Sequence, residues 1–242
     1  MSFIKNKLFI LIASNIKKLF IITASNINPE IFKRFLFHSI YSKKYNKLKK
    51  VNSFQTREDL WNFSLNPFKE KSITLIEFGV QEGYSIKFFS STNTNKDSSF
   101  IGFDSFEGLP RDWKANFPKG SFTTKGKLPK INDERIVFVK GWYQNTLPNF
   151  LKEPPKMDNL IVHYDSDIYS STLFCLLQID SLKIKYTAIF DDFLRDEVRA
   201  LSDYQEISGA KVEFLGKTSP SERHYTCYQV SCLITPITKF EV

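Results

Sequence analysis

An apolar run that ends in a glycine-bearing turn constrains this chain more than any other feature. Ile73-Thr74-Leu75-Ile76-Glu77-Phe78 leads into Gly79-Val80-Gln81-Glu82-Gly83-Tyr84-Ser85, which reads as a buried strand, a turn and a helix start. Glycine lacks a Cβ, so a turn of this kind lets bare backbone approach a ligand. Two glycines alone also make an ordinary tight turn. The added signal is a second strand, Phe100-Ile101-Gly102-Phe103, that ends in Asp104, twenty-one residues after Gly83. An acid at that distance is where ribose hydroxyls of a nucleoside cofactor are hydrogen-bonded. The expectation is a nucleoside site on the carboxyl edge of a parallel sheet.

The remaining body alternates in the same way. Strands are expected at 73–79, 99–104, 135–140, Leu160–Tyr164 and Tyr186–Phe190, all short, apolar and β-rich as fully buried parallel strands are. Helical segments lie at Gln55–Leu65, Ser85–Ser91, Thr146–Lys152, Ser170–Lys183 and Arg195–Ser208. Lys211–Leu215 and Tyr225–Leu233 follow with only the polar loop Gly216–Arg223 between them, the pattern of an antiparallel hairpin. The fold class is therefore α/β, a doubly wound, mostly parallel seven-stranded sheet, Rossmann-like, with an antiparallel C-terminal hairpin. The connection 105–130 is rich in Pro, Gly and Lys, lacks periodicity, and is expected to cover a substrate.

Charge separates an N-terminal part from this body. Residues 1–50 carry eleven Lys/Arg and one acid, Glu30, a net +10 that leaves −2 for the rest. A near-neutral body argues against a nucleic-acid partner. Leu8–Ile16 recurs as Leu19–Ile27 at an offset of eleven residues, close to three helical turns, so Lys7 and Lys18 share one side of a helix opposite Leu/Phe/Ile. Residues 1–54 thus read as a basic amphipathic helical extension and 55–242 as the catalytic domain. Three roles stay open for the extension: docking on the body, a peripheral contact with the inner membrane face, or a homo-oligomer contact. Leu8–Ala13 is too short to span a bilayer. Three cysteines (Cys175, Cys227, Cys232) make no disulfide framework, which points to a cytoplasmic location.

Carboxylates gather where the strands end. Asp165 closes the fourth strand and Asp191-Asp192 the fifth, and neighbouring strands stand about 5 Å apart, so the three can converge on one cation. The pair Asp191-Asp192 alone would also suit a helix N-cap. His163 shares the strand face of Asp165 and reads first as a core histidine. Asp167 reads first as a cap for the helix at Ser170. Trp142 and Tyr143 either frame an adenine ring or pack. Thr146-Leu147-Pro148 reads as a helix start.

The order of Glu77-x-Gly79-x-x-x-Gly83, Gly102–Pro110, Gly141–Pro148, Asp165-Ser166-Asp167-Ile168-Tyr169-Ser170-Ser171-Thr172 and Asp191-Asp192-Phe193 resembles the macrocin/mycinamicin-type O-methyltransferases. The resemblance spans roughly residues 73–195. It implies a class I methyltransferase fold, S-adenosylmethionine and Mg2+ as cofactors, and a hydroxyl acceptor on a sugar, glycosylated metabolite or polysaccharide. It further implies that Glu77, Gly79, Gly83, Asp104, Ser105 and Trp142 bind the cofactor. Asp165, Asp191 and Asp192 would hold the metal, with Asp165 catalytic. The rival reading is a glycosyltransferase presenting Asp165-Ser166-Asp167 to a nucleotide sugar, but the strand, glycine turn and acid upstream fit S-adenosylmethionine instead.

Overall fold

Eight strands form a single sheet in the order β1-β7-β8-β6-β5-β2-β3-β4. The structure, a computed structural model, describes residues 46–113, 116–193, 196–218 and 229–238, and Lys47–Val242 forms one compact unit. The eleven-residue repeat, most of the basic extension, Cys227 and the tip of the expected hairpin lie outside the described residues.

The seven expected strands are present: β2 (Thr74–Phe78), β3 (Ser99–Asp104), β4 (Ile136–Lys140), β5 (Ile161–Tyr164), β6 (Tyr186–Phe190), β7 (Lys211–Thr218) and β8 (Val230–Thr235). An eighth, β1 (Asn52–Phe54), adds a three-residue edge parallel to β7. β8 runs antiparallel to both β6 and β7, and every other pairing is parallel. Helices α1 (Arg57–Leu65), α2 (Tyr84–Thr92), α3 (Tyr143–Phe150), α4 (Tyr169–Asp180) and α5 (Asp196–Ser208) connect them. No helix among the described residues is long and apolar enough to cross a membrane.

Local chemistry sets the element ends. Thr56 caps α1 by accepting from the Asp59 amide at 3.1 Å, and Asn66-Pro67-Phe68 closes it in a 3-10 turn. Gly83, at φ +80°, starts α2 from a left-handed conformation. Two expected helix starts move. The helix placed at Thr146 begins three residues earlier, at Tyr143, and carries Pro148 inside it. The N-cap of α4 is Ile168 and not Asp167.

The sheet is buried on both faces, which is why its central strands are apolar at successive positions. On one face Leu75, Phe100, Ile161 and Ile189 pack with Trp61, Leu65, Ile86 and Phe89 from α1 and α2. On the other, one aromatic from each of four neighbouring strands forms a row. Phe103 meets Phe78 at 5.5 Å, Phe78 meets Tyr164 at 5.7 Å, and Tyr164 stacks on Phe190 at 4.9 Å. Each fully buried Phe contributes about 1.5–3 kcal/mol, and each ring pair about 0.5–1.5 kcal/mol more. The row therefore fixes the register of the strands that carry the carboxylates. From β2 the chain proceeds to β3 and β4 on one side and to β5 and β6 on the other, so the topological switch point lies at the ends of β2 and β5.

Candidate functional site

A cleft of about 1020 Å³ opens at that switch point. Its floor is the junction of Gly79 with Asp165. At φ +94°, a Cβ built on Gly79 would fall 1.8 Å from the Asp165 carbonyl oxygen, so only glycine fits. The Gly79 amide bonds to the Phe103 carbonyl (3.0 Å) and the Asp165 amide to the Phe78 carbonyl (2.9 Å), which carries the sheet pairing up to the floor.

Asp104 stands beside this floor with its carboxylate bonded to backbone. Oδ2 accepts from the Val80 and Gln81 amides at 2.8 and 2.9 Å, and Oδ1 accepts from the Phe106 amide at 2.7 Å. The acid that was expected to face ribose thus also ties the glycine turn to the end of β3. With about four lone-pair positions on the carboxylate, three are used and one remains for a ligand.

Of the other expected cofactor residues, Gly79, Ser105 and Trp142 line the cleft. Gly83 and Glu77 are not among the lining residues. A Cβ on Gly83 would meet Ile131 at 2.9 Å and Pro129 at 3.0 Å, so that glycine serves close packing as well as the helix start. Glu77 is completely buried beneath the floor, its Oε1 2.8 Å from His163 Nδ1.

Asp165, Asp191 and Asp192 all line the cleft. The Asp191 amide donates to the Tyr164 carbonyl at 3.1 Å, which sets Asp191 beside Asp165. Carboxylate oxygens of Asp165 and Asp191 and one ring nitrogen of His163 lie within 4.8 Å of one another. Asp192 is not part of that group; its amide donates to Glu197 Oε2 at 2.9 Å. Burial pushes the Asp165 carboxyl well above the usual aspartate range, and the charges of Asp191, Asp167 and Glu77 push it further. Asp191 is raised too, first by burial, against the opposing pull of a protonated His163 and of Arg57.

Arg57 and Gln229 reach the site without any sequence signal. Arg57, in the first turn of α1, sits over the rings of Trp61 and Tyr84 at 5.2 and 4.7 Å. It lines the cleft and supplies positive charge beside Asp191. Gln229 Nε2 donates to Asp191 Oδ1 from the residue before β8. Tyr143 packs edge-on against Phe78 (5.5 Å) and lines the cleft. Burial, then Asp104, hold its phenol well above the ordinary tyrosine range, so it stays a neutral donor. Asp167, at φ +59°, lines the cleft rather than occupying the cap position.

The connection 105–130 supplies the outer wall. Leu109 and Ser121 pair across it (2.9 Å), and Phe117 stacks on Phe122 at 5.1 Å. Trp113 Nε1 donates to Asp196 Oδ2 at 2.9 Å, anchoring the wall to the first turn of α5.

Glycine turn, acid and carboxylate pair at the switch point of this sheet define a Rossmann-like α/β protein of the methyltransferase fold. No family model and no curated protein matches the chain. Solved structures do. Calicheamicin methyltransferase CalS11 aligns over 85% of this chain and 93% of its own, with a TM-score of 0.52 at 17% identity. The O-methyltransferase NovP aligns over 76% and 80%, with a TM-score of 0.52 at 17% identity. An O-methyltransferase from Bacillus cereus, in complex with SAH, aligns over 87% and 94%, with a TM-score of 0.51 at 10% identity.

Proposed function

We propose that this chain is an S-adenosylmethionine-dependent O-methyltransferase acting, with a divalent cation, on a hydroxyl of a sugar or glycosylated molecule. The observation that carries the reading is the meeting of the Gly79 turn with the Asp165–Asp191 pair at one switch point.

The residues present fit both groups. For the cofactor, Gly79 lines the cleft with bare backbone, in a turn that packs too closely on Asp165 for any side chain. Asp104 keeps an acceptor position, Ser105 and Trp142 line the wall, and the cleft has room for a nucleoside together with an acceptor. For the cation, Asp165 and Asp191 offer hard oxygen donors of the kind magnesium takes, with Asp192 close by on the same wall. S-adenosylmethionine supplies the methyl group, and a divalent cation supplies charge that lowers the pKa of an acceptor hydroxyl.

The chain's own groups orient and deprotonate. Asp165, which lines the cleft where the Gly79 turn meets Asp191, is the base positioned to take the hydroxyl proton on a carboxylate oxygen. Tyr143 lines the cleft as a neutral phenol, a donor available to a ligand there. Trp113, Phe117 and Phe122 line the outer wall, where they exclude water from an in-line displacement. The motif order from Glu77 to Phe193 supports a sugar hydroxyl as the acceptor, and the names of NovP and the Bacillus cereus protein agree with O-methylation. Calorimetric titration separates this reading from the glycosyltransferase. Heat on adding S-adenosylmethionine and none on adding a UDP-sugar is expected, and the reverse would refute it.

A further inference from the structure

His163 is a core residue with one nitrogen left over. Its ring is fully buried, 2.8 Å from Glu77 through Nδ1, with Trp61 and Phe89 packed against it at 5.6 and 5.3 Å in edge-on geometry. These contacts fix both the position and the tilt of the imidazole. In the neutral tautomer that donates Nδ1–H to the Glu77 carboxylate, Nε2 carries the lone pair, and it has no hydrogen-bond partner among the described residues. A buried polar atom left in that state costs about 1–3 kcal/mol, which a purely structural histidine would avoid.

The sheet register says what Nε2 can serve. Glu77, His163 and Ile189 are aligned across β2, β5 and β6. Asp165 and Asp191 stand two residues further along β5 and β6, so they share the face of His163 and Ile189 one level higher. That places the imidazole directly below the carboxylate pair, with donor atoms within 4.8 Å of one another. Two donors sharing an ion at about 2.1 Å each stand up to about 4 Å apart, so a contraction of less than an ångström closes the set. Glu77 then occupies the place of an outer carboxylate that orients a metal-binding histidine and fixes its tautomer.

We propose that His163 Nε2 is a metal ligand together with Asp165 and Asp191. The centre is then a mixed nitrogen–oxygen site that selects manganese-like transition ions over magnesium. An all-oxygen set suits Mg2+, whereas an imidazole donor shifts preference toward first-row transition ions. The inference rests on the cation site assigned above, but not on the identity of the methyl acceptor.

Mn2+ is the probe, titrated into the full-length chain and followed by electron paramagnetic resonance. Pulsed spectra of the loaded protein should show nitrogen coupling from a directly bound imidazole. That coupling should persist in His38→Gln and His224→Gln and vanish in His163→Gln. In competition, Mn2+ should outcompete Mg2+, and His163→Gln should narrow that preference at least about tenfold. Bound Mn2+ without nitrogen coupling, or coupling that survives in His163→Gln, would overturn the inference while leaving a carboxylate site intact. Absence of any bound Mn2+ would overturn the cation site as well. Should His163→Gln fail to fold, 15N-histidine labelling of the wild type against the other two variants decides the same question.

Discussion

Removing the Asp104 carboxylate tests how the glycine turn is held. In Asp104→Ala the Val80, Gln81 and Phe106 amides lose their acceptor together. A hydrogen bond to a charged acceptor contributes about 1.5–3 kcal/mol net. The site is half-buried and water can replace part of what is lost, so the lower end applies to each bond. Three such bonds give a loss of about 4–5 kcal/mol, a large share of the 5–15 kcal/mol typical of a folded domain. Asp104→Asn should be milder. Its amide oxygen can keep the Val80 and Gln81 amides while its NH2 faces the Phe106 amide, for a loss of about 1.5–3 kcal/mol. Urea unfolding of the three proteins measures the order, and calorimetry with S-adenosylmethionine follows the cradle. Affinity should fall in the same order as stability, because the amides that carry the turn and the last free acceptor position go together. An Asp104→Ala protein within about 0.5 kcal/mol of wild type, or no more destabilised than Asp104→Asn, would refute the reasoning.

Gly79→Ala should be worse still, since a Cβ 1.8 Å from the Asp165 carbonyl at φ +94° forces β2 and β5 apart; a wild-type urea midpoint would contradict this. Chelation of divalent cations should abolish methyl transfer, with full recovery on re-addition, and Asp191→Asn/Asp192→Asn should not recover; full activity in chelator would sink the cation reading. Glu197 is buried, and burial, then Asp191 and Asp192, hold its carboxyl well above the ordinary value of 4.5. The fold therefore binds this proton more tightly than the unfolded chain does, so metal-free stability should fall as pH rises above that value through the folded pKa. Glu197→Gln should flatten that dependence in thermal melts recorded across pH, and an unchanged slope would count against it.

What could be read from the chain follows from what each element needs. β2, β5 and β6 are buried on both faces, so they must be short apolar runs, and no other stretch nearby competes. Asp165 and Asp191 were legible because the ends of neighbouring parallel strands coincide in space. β1 was not, since Asn52-Ser53-Phe54 has neither length nor alternation and pairs only because β7 offers an open edge. The start of α3 was misplaced because Pro148 reads as a helix opening, whereas Leu147 alone of that helix is buried and anchors it from inside. Arg57 and Gln229 reach the site from elements far away in sequence, and single polar residues on such elements look like surface. Asp104 could be placed at the end of β3 and the edge of the cleft, but its bonds to three backbone amides depend on how the turn folds back, which spacing does not encode.

The two levels of the site divide its electrostatic work. Below the floor, Glu77 and His163 are dry and locked by Trp61 and Phe89, and Nε2 of His163 has no hydrogen-bond partner among the described residues. Above it, Asp165 and Asp191 face the cleft, and each raises the cost of ionising the site because burial and like charge act in the same direction. Arg57 and Gln229 offset only part of that cost, since one is half-exposed and ion-paired with Glu58 and the other is neutral. A divalent cation would offset the rest, and it would satisfy the His163 nitrogen as well as the carboxylates. An empty site of this kind is less stable than a filled one by whatever the repulsion and the unpartnered nitrogen cost. Binding of Mn2+ should therefore raise the unfolding temperature, and it should do so less in His163→Gln than in the wild type.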